Sequence, residues 1–216
     1  MNQALKDLLQ NNSSIWRGRE SVQVNVRSLS TGFKALDDIL PANGWPLNAL
    51  VEILLPHWGI GELQLLLPAL VSATQNKPCQ ARQTEKQWIA MLAPPFIPYA
   101  PALSHAGVNL EHFIVIPKEA INNEALWAME KILHSQSCCI AMCWPHYIND
   151  KAVRRLQVMA EERDSLGFIF RTQRVYSSAA ALRLSLAIIG RHLQVTVLKA
   201  RGISSRKRVL IELPII

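Results

Sequence analysis

LVEILLPHWGIGELQLLL, residues 50–67, is the stretch that decides the expected fold of this chain. Its first six residues are almost continuously apolar, which is typical of a strand buried on both faces. Two glycines follow, and then Leu63, Leu66, Leu67, Leu70 and Val71 have the spacing of one buried helical face. Nucleotide-binding α/β proteins place their phosphate loop at such a strand–turn–helix junction, so the stretch predicts an α/β domain with a candidate site at the turn.

The turn lacks the chemistry of a working phosphate loop. Such a loop turns backbone N–H groups toward the phosphates and adds a lysine for the phosphates and a serine or threonine for magnesium. Gly59 and Gly61 are present, but Glu62 and Leu63 follow them. A carboxylate repels a phosphate, and a leucine cannot bind a metal ion. We therefore expect a structural turn in which Glu62 is a surface acid.

The composition is that of a globular protein with one sizeable domain. Of its 216 residues, 50% are hydrophobic and 18% are charged. No apolar run reaches the roughly 18 residues of a membrane span, and residues 1–10 do not resemble a signal peptide. The cysteines have no CxxC spacing and the histidines no HxxxH spacing, so we expect reduced core cysteines, no metal and a cytoplasmic location. The cysteines are Cys79, Cys138, Cys139 and Cys143.

Strand-like and helix-like segments alternate after the turn. This rhythm predicts a parallel sheet with right-handed crossovers, in which Glu52 is either exposed or paired. Beyond Ser177, three strand-like pieces with short links predict an antiparallel meander that closes the sheet. The predicted strands after the turn are 88–93, 113–116, 138–144 and 168–171, and the meander pieces are LRLSLAII, HLQVTVLK and RVLIEL.

Residues 1–27 are predicted to form an arm in front of the domain at 28–216. The apolar residues of 2–10 share one helical face, and SVQVNVR at 21–27 alternates as a strand does. The arm packs either on its own domain or on a second protein, and the sequence leaves both open. The side chains expected to make these contacts are Leu5, Leu8, Leu9, Val22, Val24 and Val26.

Positive charge is concentrated in the β-rich part at 171–216. Residues 171–211 carry nine Lys or Arg and no acid, within a total net charge of +7. SSRKR, residues 204–208, is predicted to be a hairpin tip. Such a patch binds single-stranded DNA or an acidic partner, unless it is simply a solvated face. The candidate residues are Arg171, Arg174, Lys199, Arg201, Arg206, Lys207 and Arg208.

Two further segments leave a choice of interpretation. APPFIPYAP, residues 93–101, is either a rigid surface that holds Phe96 and Tyr99 outward for a partner or a rigid connection over the sheet edge. His57 and Trp58 on the turn either contact a partner or fill the loop.

A set of motifs resembles a known family. STGFKALD, GWP and LVEIL, at 30–37, 44–46 and 50–54, resemble the approach to the phosphate loop in the RecA recombinase core. Together with four further motifs, they resemble the ImuA family, the RecA-like and SulA-related proteins of bacterial lesion-bypass cassettes. Those motifs are WRG (16–18), GIGELQLLLPAL (59–70), WIAMLAPPFIPYAPAL (88–103) and ALWAMEKIL (125–133), so the resemblance covers most of residues 16–145.

The resemblance implies a RecA-like fold that has lost its nucleotide chemistry. Leu55 stands where RecA has the first glycine of its loop, and Glu62 and Leu63 stand where it has lysine and threonine. The RecA strands that end in a catalytic glutamate and a magnesium-side aspartate run here into 93–95 (Ala-Pro-Pro) and 144–145 (Trp-Pro). We therefore expect no catalytic residue, no cofactor and no enzyme activity.

The resemblance also implies a function. It indicates a non-catalytic accessory factor of SOS-induced, error-prone translesion DNA synthesis. The expected partners are an ImuB-type inactive Y-family polymerase, an error-prone DNA polymerase III alpha subunit, RecA or a second copy of the chain, and single-stranded DNA, with no membrane. The alternative is a SulA-like SOS cell-division inhibitor that binds FtsZ; the chain length and the RecA-like motifs at 28–54 favour the first.

Overall fold

A computed structural model describes residues 27–75, 88–121, 124–135, 137–163, 165–173, 177–200 and 206–214. The predictions for the arm fall almost entirely outside these residues, as do those for Cys79, Arg174 and Arg201. Among the described residues, no helix is long and apolar enough to cross a membrane.

Among the described residues, ten strands form two sheets. A small antiparallel pair, β1 with β2, stands beside an eight-stranded sheet with the order β10-β9-β8-β3-β7-β6-β4-β5. The parallel strands of the large sheet are β8, β3, β7, β6, β4 and β5. Strand β9 pairs antiparallel with β8, and β10 pairs antiparallel with β9. The strands are β1 Ser28–Leu29, β2 Trp45–Pro46, β3 Ala49–Leu54, β4 Trp88–Leu92, β5 Phe113–Ile116, β6 Cys138–Cys143, β7 Leu166–Arg171, β8 Leu182–Ile189, β9 His192–Ala200 and β10 Lys207–Ile211.

Helices cover both faces of the large sheet. They are α1 Lys34–Asp37, α2 Glu62–Gln75, α3 Ala100–His105, α4 Lys118–Ile121, α5 Ala125–Ser135 and α6 Asp150–Arg163, with a 3-10 turn at Leu110–His112. Successive side chains of a strand point to opposite faces, so β3 feeds two separate cores. Val51 and Ile53 pack in the core under α2, whereas Leu50 packs in the core with residues of α5 and α6.

The predicted α/β architecture is confirmed at this level. The sheet is mostly parallel, helices flank it, and the C-terminal strands are antiparallel. Two details differ from the sequence-based expectation. Within 29–40, where Phe33, Leu36 and Leu40 have helical spacing, only α1 is helical. The Asp37 carboxylate accepts hydrogen bonds from the Thr31 N–H and the Ser30 hydroxyl and holds the residues before α1 as a turn. In α2, Leu65 is fully buried while Leu63, expected inside, is only partly buried.

The three described cysteines are structural. Cys138, Cys139 and Cys143 are free and buried in β6. Burial raises the pKa of Cys138 to about 11 and raises the pKa of Cys143 as well, because a thiolate is poorly solvated inside the protein. These two thiols therefore stay protonated near neutral pH and are not nucleophiles.

Candidate functional site

The turn between β3 and α2 contains two glycines with positive φ angles. Gly59 and Gly61 have φ angles of 80° and 103°, a region that residues with a Cβ rarely adopt. Leu55, at the start of the turn, is buried, and its N–H donates to the Arg171 carbonyl oxygen at 2.8 Å. His57 is exposed and Trp58 is half-buried against the core. The glycines thus let a tight turn join the strand to the helix.

Glu62 occupies this turn with its own carboxylate. Its Oε1 accepts a hydrogen bond from the Gly59 N–H at 2.9 Å, three residues before it. The side chain is only 5% exposed, so the expectation of a surface acid was wrong. The positive end of the helix dipole at the start of α2 favours a carboxylate at this place. Among the described residues, the other carboxylate oxygen, Oε2, is buried without a hydrogen-bond partner. An internal anion therefore lies where a phosphate loop would hold its ligand.

The segment after β10 packs against the same turn. A Cβ on Gly61 would lie 2.3 Å from Leu213 Cδ1, so Leu213 sits directly over this glycine. The Gln64 side-chain amide donates to the Pro214 carbonyl oxygen at 3.3 Å. The turn is therefore filled from within by Glu62 and covered from outside by residues near the C-terminal end of the chain.

A buried cluster of three charges lies at the centre of the sheet. Glu52 is fully buried on β3, and its two oxygens accept hydrogen bonds from two arginines on neighbouring strands. Arg171 Nη1, on β7, donates to Oε1 at 2.8 Å. Arg183 Nε, on β8, donates to Oε2 at 2.6 Å. Glu52 is therefore ion-paired, which was one of its two expected states.

Two guanidinium groups share the Glu52 carboxylate. Arg171 also donates from Nη2 to the Ile148 carbonyl oxygen at 3.3 Å. Its 7% exposure removes it from the basic surface on which it was predicted to lie. The reason is the strand alternation, because Glu52, Arg171 and Arg183 all point to the face that carries α5 and α6.

A cleft of about 690 Å³ opens at the carboxyl ends of β4, β6 and β7. Ligands of open α/β sheets bind beyond the carboxyl ends of the strands, so the cleft is the natural candidate for a binding site. Arg171 reaches it from the buried cluster. Its other charged or titratable lining groups are Lys118, Glu119 and His146, and its aromatic lining groups are Trp58, Phe96, Trp144 and Tyr147.

The strand ends around this cleft hold packing groups instead of catalytic carboxylates. β4 runs into Ala93, which has a φ of 48°, and then into two prolines. β6 runs into Trp144, whose ring stacks on Phe170 with centroids 4.3 Å apart. Neither strand end therefore presents an acid to the cleft.

A short basic edge lies on the far side of the sheet. Arg206, Lys207 and Arg208 are exposed at the start of β10, the outermost strand. Lys199 is held differently, since its Nζ donates to the carbonyl oxygens of Ser178 and Ala180 at 2.8 and 2.9 Å. Of the predicted basic residues that are described, only the run 206–208 forms an exposed group, which we call the basic edge.

Sequence reasoning missed the charged cluster and the cleft. A signal for the cluster existed, because Glu52 and Arg183 each interrupt an otherwise apolar strand. A buried charge needs a partner, but the sequence does not say which strands are neighbours. The cleft is lined by residues within 93–96, 118–121, 125–126, 144–148 and 171–173, which only the sheet order brings together.

The turn, the cleft and the basic edge are the features of this chain that bear on its function. No protein-family model matches this chain, and a search of curated proteins finds no significant match. The arrangements that need an explanation are a turn filled by its own carboxylate, a partly polar cleft and an exposed basic edge.

Proposed function

We propose that this chain is a non-catalytic accessory factor of bacterial translesion DNA synthesis, similar to ImuA. It would use a degenerate RecA-like domain to bind protein partners and single-stranded DNA. The observation that carries the non-catalytic part is the hydrogen bond from the Gly59 N–H to the Glu62 carboxylate. The motifs at 30–37, 44–46 and 50–54 support the link to the RecA-like and ImuA-like proteins.

Electrostatics in the turn supports a binding role over phosphoryl transfer. A nucleotide phosphate at the turn would compete with the Glu62 carboxylate for the same backbone N–H and would be repelled by its charge. Phosphoryl transfer needs a lysine, a metal and a positioned base to neutralise developing charge. Residues 59–63 and the ends of β4 and β6 supply apolar groups and one buried acid instead.

The arrangement of the sheet supports the RecA-like scaffold. The strand before the degenerate turn, β3, lies inside the sheet with parallel neighbours on both sides. Helices follow β3 and flank both faces. This is the strand–turn–helix setting in which a phosphate loop is found.

Deletion of the gene from its bacterial host tests the proposed role. We expect DNA damage to induce fewer point mutations in the deletion strain, with survival and growth without damage little changed. Complementation with the wild-type gene should restore induced mutagenesis. The measurement is the frequency of resistance mutations after ultraviolet irradiation. Unchanged induced mutagenesis, with filamentation when the protein is overproduced, would favour a cell-division inhibitor and contradict the proposal.

Replacing Arg206, Lys207 and Arg208 together with alanine should weaken binding to single-stranded DNA. Each lysine or arginine that contacts a phosphate displaces a condensed cation, so the loss should appear in the salt dependence. We expect the slope of log affinity against log salt to fall in magnitude by about 2. Fluorescence anisotropy of a labelled oligothymidylate at several salt concentrations measures this slope.

The matched control for the basic edge is a second triple substitution with the same change in charge. Lys151, Arg154 and Arg191 are exposed on α6 and in the β8–β9 turn, away from the basic edge. Their replacement with alanine should leave the slope nearly unchanged. Equal losses for the two triple variants would show that net charge, and not the basic edge, governs binding to DNA.

A further inference from the structure

We propose that a groove beside the degenerate turn binds the side chain of a lysine from a second protein, whose ammonium group pairs with Glu62. The groove has a volume of about 260 Å³ and is lined by Met91, Trp144 and residues within 59–64 and 94–98. This proposal does not rest on the role in DNA synthesis, because it uses only the contacts, burial and charge of this groove.

The Glu62 carboxylate has only one of its oxygens hydrogen-bonded. Oε1 accepts the Gly59 N–H at 2.9 Å, whereas Oε2 is buried and, among the described residues, accepts no hydrogen bond. The side chain is more than nine-tenths buried and lines the groove. A buried carboxylate is costly unless its oxygens are hydrogen-bonded or paired with a cation. A donor that enters the groove would therefore relieve this cost.

The charge of the groove selects a cation as that donor. Glu62 is the only charged residue among the described residues that line it. A metal ion is disfavoured, because the described part of the chain places no group of three or more His, Cys, Asp or Glu where they could hold one. A guanidinium fork uses both oxygens of a carboxylate, whereas an ammonium group needs only one. Because Oε1 is already engaged by Gly59, the cation that fits best is a primary ammonium.

The walls of the groove suit the alkyl chain of a lysine. Met91, Ile97 and three prolines supply apolar surface, and Phe96 and Trp144 supply aromatic rings, which attract cations. Lysine buries its methylene stem against apolar surface while its ammonium group meets a polar partner. The volume is below the roughly 300–1,000 Å³ of pockets for drug-sized ligands. A single long side chain therefore fills the groove better than a larger molecule does.

A second polar atom of the groove indicates that the lysine belongs to a peptide chain. The indole Nε1 of Trp144 is buried and has no hydrogen-bond acceptor among the described residues. Buried tryptophan N–H groups usually find a partner. An ammonium group only donates, so a free amine leaves the indole unsatisfied, whereas a backbone carbonyl oxygen beside a lysine can accept from it. The two unpartnered atoms together favour a lysine residue over a free alkyl amine.

Access to the Glu62 carboxylate requires a small movement, because Oε2 and the Trp144 Nε1 are both covered in this structure. The ring of Phe96 lies over the turn, since a Cβ on Gly59 would be 3.9 Å from Phe96 Cε2. Phe96 is 68% exposed, so its ring turns aside without loss of core packing. Exposed side chains change rotamer within nanoseconds. We therefore expect binding to displace this ring and to leave the backbone of the turn in place.

Titration of the full chain with a capped lysine, Nα-acetyl-lysine N-methylamide, tests the proposal. The readout is the indole N–H signal of Trp144 in proton–nitrogen NMR spectra, identified by its absence in Trp144→Phe. We expect this signal to shift with a dissociation constant of about 1 mM, as befits a ligand with few atoms. Capped norleucine keeps the apolar chain without the ammonium group and should bind about tenfold more weakly. Butylamine lacks the carbonyl groups and should also bind about tenfold more weakly.

Two substitutions separate the carboxylate from the rest of the groove. Glu62→Gln keeps an oxygen for the Gly59 N–H but removes the charge, and it should weaken binding of the capped lysine about tenfold. Ile97→Lys places a cation at the exposed edge of the groove. It should weaken binding about threefold, with a smaller loss at high salt.

The control variant is Ile189→Lys, which makes the same change of charge at an exposed apolar residue at the end of β8, outside the groove. It should bind the capped lysine as the wild type does. If Glu62→Gln does not fold, the comparison of Ile97→Lys with Ile189→Lys decides, because both isoleucines are exposed.

Several results would overturn the proposal. They are an unchanged Trp144 signal with the capped lysine, equal affinity for capped lysine and capped norleucine, and wild-type affinity in Glu62→Gln. Equal affinity for butylamine and capped lysine would assign the groove to free amines and would contradict a protein partner.

Discussion

Replacing Glu52 with glutamine should lower the free energy of unfolding by about 3–5 kcal/mol, because it breaks a buried charge cluster. The substitution keeps the size of the side chain but removes the carboxylate with which both Arg171 and Arg183 pair in the core. Both arginines are more than nine-tenths buried, so water cannot replace the lost carboxylate. Equilibrium unfolding in urea at neutral pH, followed by circular dichroism, measures the change.

Two variants make the Glu52 experiment decisive. Glu119→Gln removes a carboxylate that is exposed, and the urea midpoint should change little. The triple variant Glu52→Leu, Arg171→Met, Arg183→Leu removes all three charges. It should recover most of the lost stability. If Glu52→Gln had the same urea midpoint as the wild type, the stability of the fold would not depend on the pairing of the two arginines with this carboxylate.

The charge cluster ties together parts of the sheet that differ in kind. Arg171 comes from the parallel strand β7, whereas Arg183 comes from β8, which starts the antiparallel part. Buried ion pairs add little net stability over apolar residues of the same shape, but a broken pair is costly. The cluster therefore favours this strand order over alternatives that would separate the three charges.

Replacing Gly32 with alanine should lower the free energy of unfolding by about 3 kcal/mol, the sum of a backbone and a packing effect. Gly32 has a φ of 82°, where a Cβ is unfavourable. A Cβ at this position would lie 2.2 Å from Pro68 Cβ on α2, so the helix or the loop must move. Urea unfolding again measures the effect.

Gly190 provides the matched control for Gly32. It has a φ of 59° in the β8–β9 turn, and a Cβ there would meet no atom within 4 Å. Gly190→Ala should therefore show only the backbone effect, about 1 kcal/mol. The difference between the two variants measures the overlap with Pro68. Equal losses of unfolding free energy in the two variants would contradict the contact between residues 30–32 and α2.

The basic edge and the cleft lie in different parts of the sheet. The basic edge at 206–208 is on β10, whereas the cleft opens by β4, β6 and β7.

Much of the fold was predictable from local patterns. Strands β4, β5 and β6 were expected within one residue of where they lie, because short apolar runs bounded by proline or polar residues mark buried strands. The start of β7 was missed by two residues, since Leu166 and Gly167 also fit the end of the preceding helix. Leu65 was missed because the expected apolar stripe of α2 was too narrow for a helix packed within a core.

The sequence predicted which phosphate-loop residues are absent from the candidate site, but not which contacts take their place. The residues at 59–63 exclude phosphate-loop chemistry by type alone. That Glu62 turns inward to the Gly59 N–H depends on the conformation of the turn and on cover from Leu213. The burial of Arg171 was missed because it depends on strand neighbours, whereas Lys199 and the run 206–208 are exposed.

The sequence by itself determined the strand–turn–helix at 50–67, the alternation of elements and the absence of a phosphate-loop lysine, since these follow from residue type and short-range spacing. Only the tertiary structure decided which charges meet, where the cleft opens and what covers the turn. Glu52 is 119 residues from Arg171 and 131 from Arg183 along the chain. Contacts at such separations depend on the order in which strands pair, and periodicity within one strand carries no information about its neighbours.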